Sequence, residues 1–131
     1  MKILTVRQPW AWAIFKAGKD VENRSKPTKY RGPLAIHVSQ RFVAGEVIGH
    51  AGCIRTILGP SDLEMTETML KQQLGCVIGV VDVIDCILGS ASPWAMPGDY
   101  HWVVTNPRRV KPVPLIGQQG MFERDLELEY L

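Results

Sequence analysis

The run at residues 77–88, VIGVVDVIDCIL, places the tightest constraint on how this chain can fold. β-branched side chains dominate it, and Gly75 and Gly89 bracket it, so it reads as the strongest strand in the chain. The other segments arrange themselves around it. Residues 2–6 read as a short strand. Pro9 then stands where the first turn of a helix tolerates proline, and residues 10–17 continue that helix until Gly18 stops it. Trp10, Ala13, Ile14 and Ala17 share one face, yet the helix is apolar over most of its circumference, which predicts burial on more than one side. Residues 19–24 read as extended and residues 26–33 as a polar turn. Leu34, Ile36 and Val38 alternate with Ala35, His37 and Ser39, the pattern of a half-buried strand with a small polar face. A weak helix is expected over residues 42–51. Ser61-Asp62-Leu63-Glu64 has the form of a capping box and predicts a helix reaching about Leu74. Residues 100–105 form a further predicted strand, closed by Asn106-Pro107. Residues 110–116 carry Pro112 and Pro114, which restrict them to an edge or irregular strand. A last strand is expected over residues 120–128.

Helices do not alternate regularly with strands in this order, which argues against a doubly wound parallel sheet. The expected class is α+β: a small, curved, mixed or antiparallel barrel of about five to six strands with flanking helices. At 131 residues the chain suits one domain, residues 1–131, with a single hydrophobic core. No apolar stretch approaches the ~20 residues of a membrane span, and the apolar part of the start is too short for a secretion signal. A cytoplasmic location is the resulting expectation. Cys53, Cys76 and Cys86 are widely spaced without a C-x-x-C pair, so they read as small core residues in a reducing compartment. His37, His50 and His101 show no ligand spacing, so neither a metal nor a cofactor is expected.

Charge is uneven. Net charge is +2, but residues 1–57 hold ten Lys or Arg against three acids, and acids gather at Glu123, Asp125, Glu127 and Glu129. This asymmetry favours an anionic partner near the N-terminal half. Several segments could meet it. Arg7, Gln8 and Trp10 stand at the head of the first helix, offering a cation, an amide and a stacking surface; Trp12 reads more simply as a core anchor. In Gly18-Lys19-Asp20-Val21-Glu22-Asn23-Arg24, side-chain alternation puts Glu22 and Arg24 on one face, with Lys19 able to approach from the turn. On an open surface this is an ordinary ion pair. In a cleft, Lys19 could act as base or nucleophile, Glu22 could move protons, and Arg24 could hold a phosphate or carbonyl oxygen. His37 and Ser39 occupy the polar face of their strand. Tyr30 adds a stacking surface beside Arg31. Asp82, within an apolar strand, requires a cation or several N–H partners; it either anchors Arg24 or Arg31, the favoured reading, or orients a site residue. Asn106 and Arg108, with Arg109, suit phosphate contacts, and Gln119 lies in Gly117-Gln118-Gln119-Gly120, where glycine permits close backbone approach. For each of these the plainer structural reading competes with the functional one.

The stretches L-T-V-R-Q-P-W-A, G-K-D-V-E-N-R-S and Y-R-G-P-L-A-I-H-V-S together resemble the opening of the ASCH family, a branch of the PUA-like barrels. The later G-V-V-D-V-I-D-C and H-W-V-V-T-N-P…P-V-P-L-I-G-Q-Q-G-M-F extend the resemblance from about Leu4 to Phe122. It is that of a single-domain bacterial or phage-type member. The resemblance implies a PUA-like pseudo-barrel with a cleft lined by the Lys-x-x-Glu-x-Arg segment, in a family regarded as binding RNA or nucleotides. One short bacterial branch is an amidohydrolase acting on acetylated cytidine through a lysine, a threonine and a glutamate. That lysine corresponds to Lys19, whereas Glu22 occupies the threonine position. The expectation is a module binding RNA or a nucleoside or nucleotide ligand. The alternative is a small amidohydrolase or ribonuclease with Lys19 and Glu22 as catalytic groups.

Overall fold

The computed structural model describes residues 1–59 and 65–131. Its elements are β1 (Lys2–Val6), α1 (Trp10–Lys16), β2 (Val21–Arg24), β3 (Gly32–Val38), α2 (Ala44–Leu58), α3 (Glu67–Gln72), β4 (Cys76–Ile87), β5 (Tyr100–Pro114) and β6 (Met121–Glu123). The six strands form one sheet in the order β2-β5-β4-β3-β1-β6. Only the β1–β3 pair is parallel; the other four neighbouring pairs are antiparallel. The sheet curls into a half-barrel, the small α+β PUA-like barrel expected from the sequence.

The apolar strand β4 lies near the middle of the sheet, paired to β3 and β5, and Val77, Ile78, Val80 and Val81 are buried on both faces. On the concave side α1 supplies Ala11 and Ile14 to a core containing Leu4, Val6, Leu34, Ile36, Val38, Val81, Val83 and Val104. From its other side α1 sends Trp12 and Ala13, with its C-cap Ala17, into a second cluster with Val47 of α2, Leu70 of α3 and Trp94. The helix is thus buried on two sides, as its apolar circumference predicts. A third cluster, with Ile3, Ala35, Val80, Val110 and Phe122, lies under Leu126 and Leu128 of the C-terminal segment. That segment runs beside β5 through Lys111 N–H to Glu129 O (2.8 Å) and Leu131 N–H to Arg109 O (3.0 Å). Gly79 lets the Phe15 ring approach β4: a Cβ there would lie 2.3 Å from Phe15 Cε1 and 2.7 Å from the Arg108 carbonyl oxygen.

Several local expectations are corrected. Residues 100–105 and 110–116 are not separate strands but parts of β5, which runs unbroken through Asn106-Pro107. Asn106 takes φ 53°, a left-handed conformation that asparagine tolerates, and the β4–β5 register shifts nearby, so the strand bulges instead of ending. The helix expected over 42–51 extends through Leu58, because Val47, Ala51 and Ile54 form a buried stripe that outweighs its three glycines. The capping box at Ser61–Glu64 lies outside the described residues. Within them, α3 is capped by Thr66, whose Oγ1 accepts from Met69 N–H (3.2 Å). The final strand is limited to Met121–Glu123. Cys53 is exposed on α2, so it is not a core residue. Cys76 and Cys86 are half-buried, and burial pushes the Cys76 thiol pKa up. Among the described residues no helix is long and apolar enough to cross a membrane.

Asp82 finds neither Arg24 nor Arg31. Its Oδ1 accepts from Arg108 Nη2 (3.1 Å) and its Oδ2 from Asn106 Nδ2 (3.2 Å), since the bulge in β5 swings both residues over the neighbouring strand. Arg31 instead approaches Asp85 at 3.7 Å. The Arg108 hydrogen bond, foremost, holds the Asp82 carboxyl below the usual carboxylate range. A lowered folded-state pKa means the pair stabilises the fold above the unfolded carboxylate value and stops doing so as pH falls through the folded one. Both side chains are more than a quarter exposed, which limits the contribution to ~1 kcal/mol or less.

Two outcomes follow for unfolding experiments. Gly79→Ala should lose roughly 1–3 kcal/mol in a urea melt, because the Arg108 backbone must give way. Asp82→Asn should be less stable than wild type at neutral pH, and the difference should vanish below the carboxylate range; a gap that persists there would assign it to packing.

Candidate functional site

The parallel pairing of β1 with β3 carries the residues that follow Val6 and Val38 to the same end of the sheet. Arg7, Ser39 and Gln40 therefore border one hollow of about 540 Å³, together with Thr5, His37, Arg24 and the segment 115–120. A second hollow of about 560 Å³ lies between Leu4 and Met121 on one side and Arg24, Ser25, Lys26, Pro27 and Thr28 on the other, with Trp102 beside them. Arg24, Gln119 and Gly120 line both. The two hollows are thus neighbouring parts of one seam, left where the curled sheet brings its β2 edge towards β1 and β6. Arg7, Arg24 and Lys26 line the seam, and no described carboxylate does.

Arg24 bridges this seam. Its Nη2 donates to the Thr5 carbonyl oxygen of β1 at 2.8 Å, although β2 and β1 are far apart in the strand order. Its Nε lies 3.3 Å from Glu22 Oε1, an ion-pair approach without hydrogen-bond alignment. Glu22 Oε2 lies 3.3 Å from Lys19 Nζ, which also donates to the Val21 carbonyl and faces the Trp10 ring at 5.9 Å. Lys19 and Glu22 are only 4% and 8% exposed, so the carboxylate and ammonium sit behind the seam while Arg24 reaches it. The alternation in β2 produces this arrangement: Glu22 and Arg24 project together, and the turn at Gly18 returns Lys19 to them. β2 is fixed on its outer edge by Asn23, whose Nδ2 donates to Trp94 O (2.9 Å) and whose Oδ1 accepts from Met96 N–H (2.8 Å).

His37 organises the opposite wall. Its Nε2 lies 2.7 Å from the Leu115 carbonyl oxygen, which can only accept, so that nitrogen carries the proton. Nδ1 then accepts from the Thr5 hydroxyl at 3.1 Å. The ring is 1% exposed, so the strand expected to show a polar face is buried on both sides. Gly117 packs against this ring; a Cβ would stand 2.7 Å from His37 Cε1 and 2.8 Å from Thr5 Oγ1. Thr5 therefore joins both walls, its hydroxyl to His37 and its carbonyl to Arg24.

The remaining candidates separate. Arg7, Ser39 and Gln119 border the seam. Gln8 turns inward, 2% exposed: Nε2 donates to Leu70 O (3.2 Å) and Gln73 Oε1 (2.8 Å), and Oε1 accepts from Trp12 N–H (3.0 Å). It fastens α1 to α3. Trp10 is half-buried, 5.1 Å from the His50 ring. Tyr30 donates its hydroxyl to Pro33 O (2.6 Å), and burial is the foremost cause raising its pKa. Arg31 donates to Thr28 O and Tyr30 O. Asn106 and Arg108 belong to the Asp82 cluster, away from Arg24's walls. Thr5, Lys26 and Trp102 were not singled out for the site from sequence. No local pattern marks Thr5 or Trp102; Lys26 stands out only as part of a polar turn.

The site's main energetic liability is Glu22. Glu22→Ala should cost roughly 3–5 kcal/mol, because it strands Lys19 among apolar groups. Denaturant midpoints for Glu22→Ala, Lys19→Met and the double variant provide the check. The double variant should lose clearly less than the two single losses added together.

The ASCH domain family matches residues 4–114 of the chain. Activating signal cointegrator 1 of Homo sapiens is 32% identical over 84 residues, and the protein of that name from Mus musculus is 31% identical over 84 residues. Each alignment covers 64% of this chain and 14% of the relative, so the matched part is a small fraction of those longer proteins.

Proposed function

The chain belongs to the ASCH domain family, and from that premise we propose that the seam around Arg24 binds RNA or a nucleotide-like ligand. One observation carries the reading: three cations, Arg7, Arg24 and Lys26, border adjoining hollows to which no described carboxylate contributes. Phosphate is the ligand group that such a lining favours, and Arg24, already held by Glu22 and Thr5, loses little freedom on meeting it. Pro27 and the half-buried Met121 offer apolar surface to a base, while Ser39, Gln40, Gln118 and Gln119 can meet polar edges.

Binding through three phosphate contacts gives a salt slope near −2 on single-stranded RNA, or a ~20-fold loss of affinity between 50 and 200 mM salt. A labelled single-stranded RNA titrated at both concentrations tests this. Arg7→Ala and Lys26→Ala should each reduce the slope by ~0.7. Binding that ignores salt, or no binding at either concentration, would count decisively against the reading.

The buried Lys19–Glu22 pair, 3.3 Å apart and linked to the seam through Arg24, supports a second reading as a small hydrolase. This reading requires Lys19, now behind the seam, to gain access to an acylated nucleoside or RNA as base or nucleophile, with Glu22 moving protons and Arg24 holding the developing negative charge. Incubation with acetylated cytidine and with RNA should then show turnover that Lys19→Met abolishes. Retained RNA binding without turnover would leave the binding reading alone.

A further inference from the structure

We infer that the seam takes a dinucleotide unit of single-stranded RNA, with one nucleoside in each hollow and the internucleotide phosphate against Arg24. The inference rests on the RNA-binding reading and adds the size of the ligand unit and the place of its charge. The hollows measure about 540 and 560 Å³, each within the range of a small-ligand site, so either alone has room for a nucleotide. A mononucleotide would leave half of the seam to water. The residues common to both hollows are Arg24, Gln119 and Gly120, so a phosphate joining two nucleosides falls beside one cation, one amide and backbone that a side chain does not cover.

Arg24 is suited to that place. Nη2 donates to Thr5 O and Nε only approaches Glu22 as an ion pair, which together set the direction of the guanidinium, while Nη1 makes no hydrogen bond to a described residue. Its side chain is 28% exposed, enough to meet a ligand while remaining anchored. The flanking hollows differ. The one bordered by Pro27 and Met121, with the buried Leu4 and Trp102 behind them, offers apolar surface to a base, and Lys26 also lines it. The other is bordered by Ser39, Gln40 and Gln118, with Arg7 at its margin. Arg7 and Lys26 therefore flank Arg24 on opposite sides, the order in which successive backbone phosphates would meet cations.

The test is competition against labelled single-stranded RNA by adenylate and uridylate ligands of one, two, three and six nucleotides. A matching dinucleotide carries an uncharged methylphosphonate linkage. One charge-assisted contact and one more seated base should improve affinity roughly tenfold or more from one nucleotide to two. A third nucleotide should add the smaller gain of one flanking phosphate meeting Arg7 or Lys26, and extension beyond three should add much less per nucleotide. The methylphosphonate should lose the charge-assisted part of that step and keep only the part due to the second base. Arg24→Lys, with folding verified by its melting curve, should lose the dinucleotide step and keep mononucleotide binding. Equal affinity for one and two nucleotides, a step indifferent to the neutral linkage, or an even climb to six would overturn the inference while leaving RNA binding intact. Failure of every length and of the labelled RNA to bind would instead remove the RNA reading itself.

Discussion

The Arg24 guanidinium, donating across the seam to the Thr5 carbonyl, ties one edge of a curled sheet to a strand near its other edge. A half-barrel has the difficulty that its terminal strands expose unpaired backbone groups. Here the outer edge of β2 is covered through Asn23, and the inner approach is spanned by Arg24. The bridge in turn depends on Glu22, and Glu22 faces Lys19 on its other oxygen. Removing Glu22 leaves both cations without their shared counter-ion, Lys19 in a poorly hydrated place, so the carboxylate holds the three in a single geometry. The same charges that make the arrangement costly also make it rigid, and rigidity is what a phosphate-binding arginine requires.

Thr5 couples that bridge to the far wall. Its hydroxyl meets His37, and His37 holds the Leu115 carbonyl at the start of the segment that lines both hollows. Gly117 keeps that segment against the imidazole, where no side chain would fit. The cleft is thus framed by partly buried hydrogen bonds anchored in β1, β2 and β3. Behind it, α1 is only seven residues long and would not persist alone; it is held because two cores claim opposite sides of it and Gln8 fastens its start to α3.

Much of this was legible in the residues. The β-branched run became the two-sided strand β4, the apolar helix became one buried twice over, and the alternation Glu22–Arg24 placed two charges together with Lys19 beside them. Other residues misled because their partners come from distant segments. Asn106-Pro107 has the form of a strand end, but Asn106 accepts a left-handed bulge and β5 continues. Asp82 needed a cation, and only the shifted register decided that it was Arg108. Gln8 looked available at a helix start, yet α3 packs against it and consumes its amide.

The sequence by itself determined the strand and helix periodicities, the basic character of the N-terminal half, and which three ionic groups share a neighbourhood, because these follow from spacing along a few residues. The tertiary structure decided that Lys19 and Glu22 are buried while Arg24 reaches a cleft, and that Arg7, Lys26, Gln119 and Thr5 surround it. The physical reason is the curl of the sheet: it brings β2 opposite β1 and β6, a proximity set by twist and by packing on α1, which no local pattern of residues records.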